Sequence, residues 1–73
     1  MTQWTRTYSS GHLAHIVSKD QKIFQFVVYP PERSLNGSLK VDAAETLHDA
    51  KTKADAAAGQ SADESAWTGP KAG

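Results

Sequence analysis

Three histidines are the residues best suited to metal binding or acid–base chemistry, since the chain has no cysteine. His12 and His15 are three positions apart, a spacing that places two side chains of a β-strand on opposite faces. They cannot chelate one metal ion together without a bend at Gly11. His48 falls in a predicted helix, and no serine, histidine and acid grouping can be argued. We therefore predict a protein that is not an enzyme and has no cofactor or metal site.

The length and composition limit the classes of protein to which this chain can belong. Alanine supplies 11 of the 28 apolar residues in this 73-residue chain, which leaves 17 larger apolar side chains and therefore a small core. Without cysteine, the disulfide-rich modules, the cysteine-ligated zinc fingers and the thiol enzymes are excluded. The longest apolar stretch, residues 23–29, is too short to cross a bilayer, and no targeting segment stands out. We expect a single cytoplasmic domain without membrane contact.

The first part of the chain predicts three β-strands. Residues 4–8, 13–17 and 23–29 are rich in β-branched and aromatic side chains and are separated by turn-forming stretches. The third strand should end at Pro30, because proline has no amide hydrogen for further pairing. Short links between consecutive strands favour antiparallel pairing. We therefore expect a three-stranded antiparallel meander in the order 1-2-3.

One helix is predicted over residues 42–58. Asp42 and Glu45 have the spacing of a capping box with Asp42 as the N-cap, and Gly59 should end the helix. An apolar stripe at spacings of three and four would face the sheet, formed by Leu47, Ala50, Ala54 and Ala57. In the loop before the helix, Asn36-Gly37 could form either a miniature hairpin or a simple turn.

The last residues are small and polar and lack periodicity, which is typical of a disordered tail. Trp67 is the exception, since a side chain of this size either folds back on an apolar surface or remains a plain terminal residue. The sequence leaves both options open. We accordingly divide the chain into one β-β-β-α domain at 1–59 and a flexible tail at 60–73.

The two faces of the predicted sheet carry the main functional signal. Side chains alternate along a strand, and the most economical packing puts six of them under the helix: Trp4, Ala14, Ile16, Phe24, Phe26 and Val28. The other face keeps Leu13, Val17, Ile23, Val27 and Tyr29, and one helix cannot cover both sides. Scattered apolar side chains on a surface are common and need no partner. A patch of a few hundred Å² would still stabilise a complex by several kcal/mol, at about 25 cal/mol per Å².

We therefore predict a partner-binding surface on the open sheet face, formed by Leu13, His15, Val17, Gln25, Val27 and Tyr29. Its occupant would be a second copy of the chain, the tail that carries Trp67, or another protein.

Charge distribution suggests a second kind of partner. Residues 1–41 carry five basic and two acidic side chains, whereas residues 42–73 carry three basic and six acidic ones. The basic part is the predicted sheet, where a sheet-reading nucleic-acid binder needs its charge. The candidate contacts are Arg6, Lys19 and Lys22 near the hairpin tips. Ordinary solvated charges on loops explain the same distribution.

The order of elements carries a resemblance. A tryptophan opening strand one, Ala-x-Ile at 14–16, Phe-x-Phe-x-Val at 24–28 and Asp-Ala-Ala-Glu at 42–45 resemble small bacterial and phage β-β-β-α domains of unknown function. The outline over residues 3–58 is also similar to the DNA-binding arm domain of phage-type tyrosine integrases, which implies a sheet that enters the major groove. The chain departs from that arm domain in its zero net charge and in the apolar residues Leu13, Val17 and Val27 on the open face.

The sequence thus predicts an α+β fold, a three-stranded antiparallel meander packed against one C-terminal helix and followed by a disordered tail. The predicted function is that of a non-catalytic protein-interaction module, self-associating as a homodimer or binding another protein through the open sheet face. The alternative is a nucleic-acid-binding module of the integrase-arm kind.

Overall fold

The computed structural model describes residues 1–31 and 40–72 and contains a five-stranded antiparallel sheet with one helix on one side. The strands are β1 (Thr2–Thr7), β2 (Leu13–Ser18), β3 (Phe24–Tyr29), β4 (Lys40–Ala44) and β5 (Thr68–Ala72). The helix α1 (Leu47–Ala57) and a single 3-10 turn (Glu64–Ala66) lie between β4 and β5. The spatial order is β4-β3-β2-β1-β5, so the last strand pairs with the first.

The α+β class is confirmed, but the predicted three-stranded meander with a C-terminal helix is wrong. The three predicted strands are present and adjacent, and β4 and β5 extend the sheet at either edge. The helix lies in the middle of the chain, because the segment that follows it returns to pair with β1. The predicted Asn36-Gly37 turn lies outside the described residues.

The helix starts later than the capping pattern predicts. Residues 40–44 pair with β3 in a regular register, so Asp42 belongs to β4 and is not the N-cap. Thr46 caps the helix instead, and its hydroxyl accepts a hydrogen bond from the Asp49 amide at 3.1 Å. Asp-Ala-Ala-Glu has helix propensity, but pairing with β3 and burial of Ala44 outweigh it. The helix ends at Ala57 with Ala58 as its C-cap, and Gly59 follows with a φ of 74°, a conformation common after a helix terminus.

The predicted disordered tail is also wrong for the described residues up to 72. Trp67 is buried in the main core, and β5 then pairs with β1 through Thr68 to Ala72. Gly69 is necessary there, because a Cβ at this position would lie 2.6 Å from the Gln3 carbonyl oxygen. Pro70 is compatible with β5 because this strand forms an edge of the sheet.

The core lies between the helix and the face of the sheet that the sequence predicts. All six expected sheet residues are buried, as are Ala50 and Ala54 of the helix, while Leu47 and Ala57 pack against them in part. The small alanine side chains of the helix leave room for large side chains on the sheet. The rings of Trp4 and Phe24 fill this space between the helix and the sheet. Among the described residues, no helix is long and apolar enough to cross a membrane.

Candidate interaction surface

The strand register defines the face of the sheet opposite the helix, which we call the open face. One row across the sheet runs through Gln3, Val17, Gln25 and Ala43, and the next through Thr5, His15, Val27 and Val41. Leu13 and Tyr29 are paired in a third row. All six residues of the predicted surface therefore share this face, because residues directly opposite in antiparallel strands point to the same side.

The open face is apolar on one half and polar on the other. The β1 and β5 half carries Gln3, Thr5, Thr68 and Lys71. The β2–β4 half, which we call the apolar half, carries Leu13, Val17, Val27, Tyr29, Val41 and Ala43 together with His15 and Gln25. A shallow concavity of about 520 Å³ lies over the apolar half.

The exposed large apolar side chains of the described chain cluster around this surface. They are Met1, Ile23 and Val41, which are 55%, 48% and 63% exposed. Met1 and Val41 line the concavity, while Ile23 lines a smaller neighbouring hollow with Val17 and Gln25. The three side chains therefore lie around two neighbouring hollows, which share Val17, Lys19 and Gln25 in their linings.

His15 lies at the boundary between the two halves. Its Nε2 is 2.8 Å from Oε1 of Gln3, and the ring is half-buried between the β1 and β3 neighbours Thr5 and Val27. The amide oxygen of Gln3 can only accept a hydrogen bond, so Nε2 is the ring nitrogen that donates. This pair is a polar contact between β1 and β2 beside the apolar half.

Both sheet edges carry features that oppose strand addition. Pro70 in β5 has no amide hydrogen to donate to a further strand. At the other edge, the amide of Ala43 in β4 donates to the side-chain Oδ1 of Asp42 at 2.8 Å, so this donor is already occupied. Each edge strand therefore has at least one position that cannot donate a hydrogen bond to a further strand.

Arg6, a candidate nucleic-acid contact, is on the opposite side of the sheet. Its side chain is 13% exposed, and Nη1 lies 3.0 Å from Oδ2 of the fully buried Asp55 in α1. The guanidinium also stacks over the Tyr8 ring, 4.5 Å from its centroid. Burial and the hydrogen bond to Asp55 hold the pKa of the Tyr8 hydroxyl well above its ordinary value. Arg6 therefore contacts Asp55 and Tyr8 on the helix side of the sheet, away from the open face.

Lys19 and Lys22 lie at the other end of the sheet from Arg6. Lys19 follows β2 and lines the concavity, while Lys22 is in the β2–β3 turn, where its amide donates to Asp20. The structure therefore keeps these two lysines near each other and separates Arg6 from them.

The other two histidines each make a separate polar contact at the surface. His12 contacts Ser10 at 2.7 Å in the exposed β1–β2 turn, and His48 contacts Glu64 on the exposed side of α1. In residues 1–31 and 40–72, no group of three or more histidine, aspartate or glutamate side chains is placed to hold a metal ion.

Sequence reasoning missed part of the surface. Val41 and Ala43 belong to it because residues 40–44 form β4, a segment that the capping pattern assigned to the loop and the helix. Gln3 was missed because the first strand was predicted to start at Trp4. For Val41, the sequence did contain a sign of a strand, because Val-Asp-Ala-Ala begins with a β-branched residue and alternates apolar with polar at its start.

Comparison with models of known protein families, with curated protein sequences and with solved structures found no match in any of the three.

Proposed function

We propose that this protein is a non-catalytic interaction module that self-associates through the open face. The observation that supports this proposal is the clustering of the exposed Met1, Ile23 and Val41 around hollows of the apolar half. Large apolar side chains of the described chain are otherwise covered by the helix layer or partly buried. An apolar surface of this kind marks a contact site when it is contiguous.

A second copy is the occupant that this surface fits best. Val41 is exposed and lines the concavity. The same surface therefore carries both an apolar side chain that can enter a partner and a hollow that can receive one. A two-fold axis between two open faces makes every contact occur twice, and Val41 of each copy can then enter the concavity of the other. The occupied Ala43 amide in β4 and Pro70 in β5 disfavour extension of the sheet at those positions, which supports packing of face on face.

The dimensions of the surface set the expected strength of association. Three strands at a spacing of about 4.8 Å and a length of about 20 Å give the apolar half roughly 300 Å² per copy, and the whole open face gives about 500 Å². A stable interface buries about 800 Å² on each partner. We therefore expect a reversible dimer that forms at micromolar or higher concentration.

Sedimentation equilibrium from about 10 µM to about 1 mM, a range suited to a weak interface, tests the proposal. The parent chain should shift from monomer to dimer, and Val41→Asp should remain monomeric because it places a charge in the contact. Val41 is mostly exposed in one copy, so this change should leave the melting temperature nearly unaltered. Thr52→Asp, which adds the same charge at an exposed position of α1 on the other side of the sheet, is the control and should dimerise like the parent.

A parent chain that is strictly monomeric over this range would contradict self-association, and so would a Val41→Asp variant that dimerises normally. Binding to a mixed pool of DNA duplexes, with an affinity that falls steeply as salt rises, would instead favour the nucleic-acid alternative. In that alternative, Lys19 and Lys22 would supply the contacts with DNA, because Arg6 is paired with the buried Asp55.

A further inference from the structure

We propose that His15 makes this self-association sensitive to pH, with the dimer favoured when the imidazole is neutral and weakened when it is protonated. The inference rests on the proposed function, since it concerns the regulation of the same surface. His15 lines the concavity of the apolar half, so a second copy seated there removes its ring from water.

The hydrogen bond to Gln3 defines the state of the ring that suits a closed interface. Nε2 donates to Oε1 of Gln3 at 2.8 Å, so a neutral ring carries its single proton there and leaves Nδ1 as an acceptor. Protonation adds a hydrogen at Nδ1 and a full positive charge. A neutral ring with one satisfied nitrogen can be buried at modest cost, whereas burying an unpaired cation is costly.

The groups around His15 also favour a weaker dimer when its ring is protonated. Its β1 and β3 neighbours Gln3, Thr5, Gln25 and Val27 are uncharged. The charged and titratable groups on the elements around it are Lys19, Lys71, the amino group of Met1, Tyr29 and Asp42.

Asp42 is the single carboxylate in this set, and its Oδ1 accepts a hydrogen bond from the Ala43 amide. A two-fold dimer also brings a second His15 to the same interface. Protonation of both rings therefore places two like charges in one interface, to which each copy also brings Lys19 from the lining of the same concavity.

The size of the effect follows from linkage. A dimer that requires two neutral rings loses affinity for each proton that the monomers take up. The dissociation constant should rise by at least about tenfold between about pH 7.5 and about pH 5.5, within the range where histidine side chains change charge.

Sedimentation equilibrium of the full chain at these two pH values is the test. The parent chain should dimerise at the higher pH and dissociate at the lower one. His15→Gln, which keeps an uncharged hydrogen-bonding side chain, should dimerise equally at both. His12→Gln and His48→Gln are matched controls, because His12 lies in the β1–β2 turn and His48 on α1, and both should keep the pH response of the parent.

A direct measurement avoids dependence on the folding of a variant. The midpoint of the NMR titration of the His15 ring should move to lower pH as the protein concentration rises, because dimerisation favours the neutral ring. A parent dimer that is equally stable at both pH values overturns the inference and leaves the proposed function standing. So does a His15→Gln variant that keeps the pH response, whereas absence of a dimer at both pH values overturns the proposed function itself.

Discussion

Tyr8 and Asp55, which are 47 positions apart in the chain, are joined by a 2.6 Å hydrogen bond in which the tyrosine hydroxyl donates to Oδ1 of a completely buried carboxylate. Oδ2 of the same carboxylate faces Arg6 at 3.0 Å and accepts a 3.1 Å hydrogen bond from the Asp63 amide. One side chain of α1 therefore contacts the sheet at β1 and the segment that leads to β5. The contact with Arg6 is an ion pair without hydrogen-bond alignment, since Nη1 has no hydrogen-bond partner among the described residues.

Replacement of Asp55 by alanine should be strongly destabilising. The change leaves the Arg6 guanidinium buried without its counter-charge, and breaking a buried ion pair in this way costs about 3–5 kcal/mol. This cost is comparable with the whole stability of a small domain, so the variant should be largely unfolded at room temperature. Circular dichroism during urea unfolding measures the effect. Asp49→Ala, which removes an exposed carboxylate from the same helix, should cost less than about 1 kcal/mol, and equal losses for the two variants would contradict this account.

Alkaline pH should destabilise the fold through Tyr8. Burial and the hydrogen bond to Asp55 raise the pKa of Tyr8 in the folded chain above its ordinary value, so the unfolded chain releases the tyrosine proton first. The stability from the neutral hydroxyl is complete below about pH 10 and is lost as the pH rises above it.

Urea unfolding between about pH 8 and about pH 11 should show this decline in the parent chain. Tyr8→Phe should be less stable at neutral pH, by about 1–2 kcal/mol, and should decline less with pH. The same slope in both chains would show that Tyr8 is not the responsible group.

Trp67 should contribute to the stability of the whole domain rather than of a terminal segment. Its ring is buried in the main core, so Trp67→Ala should cost about 3–5 kcal/mol. Its indole nitrogen has no hydrogen-bond partner among the described residues, so Trp67→Phe removes no hydrogen bond and should cost clearly less. Thermal unfolding of both variants gives the comparison. A melting temperature that Trp67→Ala leaves unchanged would mean that the segment after α1 is not docked in solution.

Thr46, and not Asp42, should determine where the helix begins. Thr46→Ala removes the hydroxyl that accepts from the Asp49 amide and should cost about 1 kcal/mol. Thr52→Ala, at an exposed position within α1, is the matched control and should be neutral or slightly stabilising because alanine has the higher helix propensity. Urea unfolding of the two variants measures the difference, and an equal response would contradict the assignment of the cap.

Alternation and local propensity were sufficient to predict much of this molecule. Three strands, the apolar stripe of α1 and the buried face through Trp4, Ile16 and Phe26 are all present as expected. The six predicted residues of the open face also lie together, because alternation along a strand is a local property that pairing preserves. The same alternation places Arg6 between Trp4 and Tyr8 on the buried face. It therefore indicated that Arg6 points to the interior, although a positively charged side chain suggests exposure to solvent.

The sequence by itself therefore determined the faces of the central strands and the helix that covers one of them. Only the tertiary structure decided the two edge strands, since Asp-Ala-Ala at 42–44 and Thr-Gly-Pro-Lys-Ala at 68–72 have weak β-propensity and form strands because they pair with β3 and β1. Tertiary packing also decided the burial of Trp67 and the charge cluster at Asp55. These features depend on contacts between residues that are distant in sequence, and neither periodicity nor capping patterns carry that information.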